Sequence, residues 1–308
     1  MNCDSDTQIV RRNLFDGELL RVGHVVARSS SSECGEIERQ SLNILVLPLA
    51  GVFAKHDGPR RHVIATANHA VFIAAGSPYR ISYPAGIGDQ CLTLWFSSAA
   101  LARVLPKAMS RDGFDSSTFA SHALLPPAAM LARSLLWRRF ARGEWDPLEV
   151  EEIGVALLAS ALHAARKERH GRSRGAPRGC SDRRLRQVER VKEAISLRPE
   201  RKWTLGELAD LAYVSPCHLA HVFREEVGAS VYRYVLRSRL AKALEAVLDT
   251  DTNLTAIALE TGFASHSHFT ARFRALFGLT PIELRRGASS RKIAELRKIV
   301  TADPLAAD

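Results

Sequence analysis

Two stretches in the last third of the chain place small polar, histidine and arginine side chains on one face of a helix whose other face is apolar. In the first, Leu219 and Phe223 pointing inward leave Cys217, Ala220, His221 and Arg224 pointing outward. In the second, inward Phe269, Phe273 and Leu276 leave Ser267, Thr270, Ala271 and Arg274 outward, with His266 and His268 near the helix start. Such a face suits a helix that enters the major groove of double-stranded DNA. Arg224 and Arg274, about two turns along, are placed to meet phosphates, whereas Cys217, His221, His266 and Ser267 lie nearer the base edges.

Other chemistries find less support. His56, His62 and His69 are six and seven residues apart, without the close histidine pair and carboxylate that a metal centre of this kind needs, so neither a metal nor a cofactor is expected. The five cysteines (Cys3, Cys34, Cys91, Cys180, Cys217) are odd in number and contain no Cys-x-x-Cys pair, which reads as free thiols in a reducing compartment. Cys91 is expected as buried filler in an apolar strand. No nucleophile with an adjacent base stands out, so an enzyme is not expected.

The two helical stretches belong to an internal repeat. Leu205, Leu208 and Ala209 correspond to Leu254, Ile257 and Ala258; after one inserted residue, Leu219, Phe223 and Gly228 correspond to Phe269, Phe273 and Gly278. Each copy is a short helix, a tight turn and a longer helix, the pattern of a helix-turn-helix. Thr204 with Glu207 has the spacing of a capping box, Asn253 can cap the second copy, and Ser215-Pro216 offers an N-cap followed by a first-turn proline. Gly262 suits a turn of positive φ. Tyr213 takes the equivalent place in the first copy and is expected to strain that turn.

Charge follows the same division. Of 43 Lys+Arg and 33 Asp+Glu, residues 1–165 hold 16 and 16, so the whole +10 excess lies beyond them, as a domain for a polyanion requires. The boundary is a stretch rich in arginine and poor in large apolar residues at 166–184, read as a basic flexible linker. Ahead of it, strands are expected over 19–27, 42–54, 70–75, 79–83 and 91–96, then helices over 127–141 and 147–166. The second helix carries Ile153, Leu157 and Ala161, with Val155, Leu158 and Leu162 beside them, and is expected to pack on the strands and on a partner subunit. Neither a signal peptide nor a membrane-spanning run is apparent, so a cytoplasmic location is expected.

The segment from about residue 188 to 286 resembles the DNA-binding domain of the AraC/XylS family of bacterial transcription regulators. The resemblance rests on residues 205–223, on Arg239, Leu240 and Ala243 in the helix between the repeats, and on Ile257-Ala258, Gly262-Phe263, Phe269, Arg272-Phe273-Arg274, Phe277-Gly278-Leu279-Thr280-Pro281 and Arg285. It implies seven helices, with a central helix over 232–248 that spans roughly 25 Å at about 1.5 Å per residue and sets two recognition helices against successive major grooves. Residues 14–165 resemble the cupin-like sensor and dimerisation domains that often precede this module. The expected fold is therefore α+β: a cupin-like β-barrel or sandwich with helices over 1–165, the linker over 166–184, an all-α double helix-turn-helix domain over 185–287 and a tail over 288–308. The resemblance implies a sequence-specific regulator, with activation favoured, whose partners are operator DNA, a small-molecule effector, RNA polymerase and a second copy of the chain. Control by a partner protein, or a cupin-type enzyme fused to the DNA-binding module, are the alternatives.

Overall fold

In the computed structural model, residues 7–58, 61–84, 86–104, 120–173 and 178–287 are described. The first part is built from β1 (Thr7–Asp16), β2 (Leu20–Ser29), β3 (Asn43–Gly51), β4 (Phe53–Gly58), β5 (Arg61–Ala65), β6 (His69–Ile73), β7 (Arg80–Ser82), β8 (Asp89–Phe96), α1 (Ser98–Val104) and β9 (His122–Leu124). Six strands form one sheet in the order β1-β2-β8-β3-β6-β9, and three form a second in the order β5-β4-β7. Every pairing between named strands is antiparallel.

Strand periodicity gives the large sheet two different faces. Leu20, Val22, Leu45, Leu47, Phe72, Leu92 and Leu94 join one core with the helices α2 (Pro127–Arg142) and α3 (Pro147–Ser173). Ile44, Val46, Val71, Ile73 and Cys91 turn the other way, toward Phe53, Tyr79 and Tyr83. That second side encloses a cavity of about 160 Å³.

Three expectations change here. The strand expected over 42–54 breaks at Val52 into β3 and β4, because Gly51 adopts φ 78 and turns the chain into the second sheet. The helix with Ile153, Leu157 and Ala161 does pack on the sheet, but these residues, and Leu158 and Leu162 beside them, are already buried in the chain's own core. These five residues are therefore not available to a partner subunit. The flexible linker expected over 166–184 is helical wherever it is described: α3 runs on to Ser173 and α4 (Arg178–Leu197) begins five residues later. Arginine, lysine and glutamate are good helix formers, and the Glu168 carboxylate accepts the Leu124 N–H at 2.8 Å, tying this end of α3 to β9. The tail over 288–308 lies outside the described residues.

The remaining helices are α5 (Leu205–Ala212), α6 (Pro216–Val227), α7 (Val231–Asp249), α8 (Leu254–Glu260), α9 (His266–Phe277) and α10 (Pro281–Arg285), which with α4 make the seven that the resemblance implies. Val188, Val191, Ile195, Leu208, Leu219, Phe223 and Tyr234 form the core of the first unit. Phe263, Phe269, Phe273 and Phe277 continue the larger core into the second.

Polar contacts fasten this helical part to the sheets. Arg133, with no exposed side-chain surface, donates to Pro48 O, to Ala67 O at 2.8 Å and to Glu245 Oε1 on α7 at 2.9 Å. The Ser134 hydroxyl donates to the same carboxylate at 2.6 Å. Asn68 Nδ2 donates to Ser238 Oγ at 2.9 Å, and Glu189 on α4 accepts the Ile64 N–H while its buried carboxylate holds Lys192 Nζ at 2.9 Å.

Candidate nucleic-acid interface

Each recognition helix starts at a serine whose hydroxyl accepts the N–H three residues on. Ser215 does so from His218 at 3.3 Å with Pro216 in the first turn, and Ser265 from His268 at 3.2 Å. Each ends at a glycine in the left-handed region, Gly228 and Gly278. The shorter helices start as the sequence indicates. Thr204 and Glu207 form a complete capping box, whose hydrogen bonds hold the Glu207 carboxyl below its usual range, and Asn253 Oδ1 accepts the Thr255 N–H at 2.7 Å.

The turns differ as expected. Gly262 has φ 88, and a Cβ there would lie 2.6 Å from Glu200 O, so only glycine fits. Tyr213 has φ 56, the one non-glycine residue of positive φ among the described residues. Its side chain is 79% exposed, and the Arg190 guanidinium lies 5.2 Å from its ring centre. Packing of α5 against α6 thus has to hold a backbone that tyrosine disfavours.

Leu219, Phe223, Phe269 and Phe273 are buried, which turns Cys217, Ala220, His221 and Arg224 on α6 and His266, Ser267, Ala271 and Arg274 on α9 to solvent. Thr270 is half-buried and lines, with His266, Ser267, Ala271 and Arg274, a shallow concavity on α9. His268 is half-buried: its ring stands edge-on to Phe263 with centroids 5.6 Å apart, and it lies 3.4 Å from Arg272 Nε. Arg272 is exposed and adds a cation that the helical-wheel reading left out. The two faces are electrically unequal. On α6, His221 lies 3.2 Å from Glu225, which also pairs with Arg184 at 3.2 Å, whereas α9 contains no acidic residue.

Arg239 fixes the two units relative to each other. From α7 it donates to Pro199 O at 2.7 Å and Arg201 O at 2.9 Å, before α5, and to Gly262 O at 2.8 Å, between α8 and α9. Half-burial lowers its pKa, and three carbonyl acceptors satisfy the charge that remains. Lys242 adds an ion pair to Glu200 at 3.0 Å.

The histidines set aside for metal binding fall into two places. His56 and His62 face each other across β4 and β5 with ring centroids 5.4 Å apart, and His56 shares a 2.8 Å hydrogen bond with Ser82 Oγ. Burial, His62 and Arg80 lower the His56 pKa. His69 is elsewhere, fully buried beside Thr66, and burial with Lys192 and Arg237 nearby pushes its pKa well down.

Paired helix-turn-helix units are the class that this geometry defines. Residues 208–287 match the helix-turn-helix domain family. Over 96 residues the chain is 31% identical to an uncharacterized HTH-type transcriptional regulator of Haemophilus influenzae, covering 31% of this chain and 32% of that protein. It is 36% identical over 80 residues to the HTH-type transcriptional activator RhaS of Escherichia fergusonii, covering 26% of this chain and 29% of that one. Among solved structures, a transcriptional regulator of Chromobacterium violaceum with an AraC-type DNA-binding domain is 25% identical, with 34% of this chain and 94% of that chain covered and a TM-score of 0.33. The chain spans about a third of the length of these curated relatives. Residues 208–287 are a helix-turn-helix domain.

Proposed function

We propose that the protein is a sequence-specific DNA-binding regulator of transcription that acts as an activator through RNA polymerase. The observation that carries this reading is the pair of serine-capped helices, α6 and α9, exposed on their polar faces and held in fixed relation by Arg239. Cys217, Ala220, His221, Arg224, His266, Ser267, His268, Thr270, Ala271 and Arg274 form the DNA-contacting set, with Arg272 added. The acid-free α9 makes the stronger electrostatic contribution, since Glu225 offsets part of the charge on α6.

Residues 1–165 sense a small molecule and pair two copies of the chain, and residues 185–287 read the operator. The cavity between the sheets supports the sensing role. Activation is supported by the RhaS relative, a transcriptional activator, and pairing by the family resemblance alone. No helix among the described residues is long and apolar enough to cross a membrane, and the protein works in the cytoplasm without catalysing a reaction.

Selection of duplexes from a random pool by the full chain, at about 0.15 M salt, tests the reading. An asymmetric motif with two blocks about one helical turn apart is expected. Recovery of no enriched sequence would refute specific DNA recognition.

A further inference from the structure

Three charged residues, Arg11, Glu38 and Asp89, line the cavity between the two sheets, and Asp89 is the one without an ionic partner among the described residues. From β8, whose alternate residues face inward, come Asp89, Cys91, Thr93 and Trp95. Phe53, Tyr79 and Tyr83 supply further aromatic wall. The Asp89 carboxylate is mostly enclosed, although the residue keeps some exposure, and its acceptor contacts are to neutral donors: the Cys91 thiol at 2.6 Å and the Tyr83 hydroxyl. It takes part in no ion pair among the described residues. Arg11, at the mouth, is directed elsewhere, 3.7 Å from Glu38, which also accepts the Tyr79 hydroxyl at 2.9 Å.

A buried carboxylate without a cation is costly, and protein interiors normally pair one. Its position is not accidental. Gly88, at φ 79, brings the start of β8 so close to β2 that a Cβ there would lie 2.0 Å from Ala27 O. A second loose end lies farther along the same wall: the Thr93 hydroxyl, on a residue 5% exposed, has no hydrogen-bond partner among the described residues. It lies four residue steps along the strand from Asp89, roughly 13 Å at about 3.3 Å per residue. An acidic end, an aromatic and aliphatic wall and a free hydroxyl beyond it together describe the complement of a ligand.

We propose that this cavity binds an organic cation, an ammonium group on a flat apolar body, with the charged end against Asp89 and the body along the wall toward Thr93 and Trp95. The Tyr83 ring, hydrogen-bonded to Asp89, stands where an aromatic group also attracts a cation. A polar atom at the far end of the ligand would meet Thr93. The proposal rests on the reading that residues 1–165 sense a small molecule, and it supplies the chemical class.

Proton linkage follows from the same geometry. In the empty cavity, burial raises the Asp89 pKa to about 6, against the lowering effect of its bonds from Cys91 and Tyr83. Tyr83 and Cys91 are both pushed upward, Cys91 by burial and the adjacent Asp89, so they remain neutral donors; Glu38 and Arg11 face the site from its mouth. A cation therefore binds the ionised carboxylate, and its affinity falls as pH drops through about 6.

The test is calorimetric titration of the full chain with tyramine, 2-phenylethylamine and tryptamine, beside the matched alcohols and carboxylic acids of the same carbon skeletons, at pH 7.5 and pH 5.0. At least one amine should bind, ten-fold or more tighter than its alcohol and acid, and weaken about ten-fold at pH 5.0. Asp89→Asn should abolish that preference while leaving the far-ultraviolet spectrum and DNA binding intact. Because the wild-type pH dependence needs no substitution, failure of the variant to fold would not shield the proposal. An alcohol or acid that binds better than its amine would overturn the cationic class and leave small-molecule sensing in place. Binding by no member of the panel, whatever its charge, would overturn the class and count equally against sensing by this cavity.

Discussion

Replacing Asp89 by asparagine should stabilise the unliganded protein, and the gain should depend on pH. Asparagine retains an oxygen to accept from Cys91 or Tyr83 and removes the buried charge. Burial raises the Asp89 pKa to about 6 in the folded chain, against about 3.9 in an unfolded one. A folded pKa above the unfolded value means that the folded state holds the proton more tightly. The contribution of this group to stability is therefore complete below about pH 4 and lost as pH rises through about 6. At about 1.36 kcal/mol per pH unit, the gap corresponds to on the order of 3 kcal/mol. Urea unfolding of both proteins from pH 4 to pH 8 measures it, and taking the difference between the two cancels groups that titrate alike in both. Asp89→Asn should match the wild type near pH 4 and exceed it by on the order of 2–3 kcal/mol at pH 8. A difference that stays flat with pH, or that favours the wild type more as pH rises, would refute the buried-carboxylate argument.

The two turns should respond oppositely to substitution. Gly262→Ala adds left-handed strain and a Cβ 2.6 Å from Glu200 O, for a loss of about 2–4 kcal/mol by chemical denaturation, whereas Tyr213→Gly, which relieves strain but forfeits the Arg190 contact, should stay within about 1 kcal/mol of the wild type. Arg133→Met strands the Glu245 carboxylate against α2 and should cost about 3–5 kcal/mol, with most of that recovered in the double variant with Glu245→Leu; equal stability of the single and double variants would show that the pair does not form in solution. Arg274→Ala should weaken binding to all duplexes alike and lower the magnitude of the salt slope by about one. His266→Ala should instead cost about 1–3 kcal/mol on the selected site, relax one base position and leave the salt slope unchanged, as binding to cognate and singly substituted duplexes would reveal.

Local features proved the most legible in the sequence. The Thr204–Glu207 box, the Ser215 and Asn253 caps, and the awkward Tyr213 depend on residues within a few positions of one another, and each is where the pattern indicates. What periodicity cannot give is the identity of the covering surface. It marks Ile153, Leu157 and Ala161 as buried without saying that the chain itself buries them. Strand β1 is not legible in the sequence because Arg11, Arg12 and Asn13 interrupt any apolar alternation, although its pairing with β2 runs from Thr7 to Asp16. The arginine-rich stretch at 166–184 has little to bury, yet its arginine, lysine and glutamate favour a helix, which it forms where it is described. The Arg133–Glu245 contact joins residues 112 apart, and no local rule brings them together. Cys91 is buried as expected, but its role beside Asp89 emerges only when β8 is set against the second sheet.

The central claim is that one chain carries two DNA-reading helices at a fixed separation, and changing the spacing of the site tests it most directly. The affinity of the full chain is to be compared between its selected duplex and the same duplex with five base pairs inserted between the two blocks. Because Arg239 holds α6 and α9 in register through Pro199, Arg201 and Gly262, the insertion turns one block about half a helical turn away, out of reach of the second helix. Affinity should fall at least ten-fold, toward that of a duplex with a single block. An affinity unchanged by the insertion would contradict the fixed two-helix arrangement.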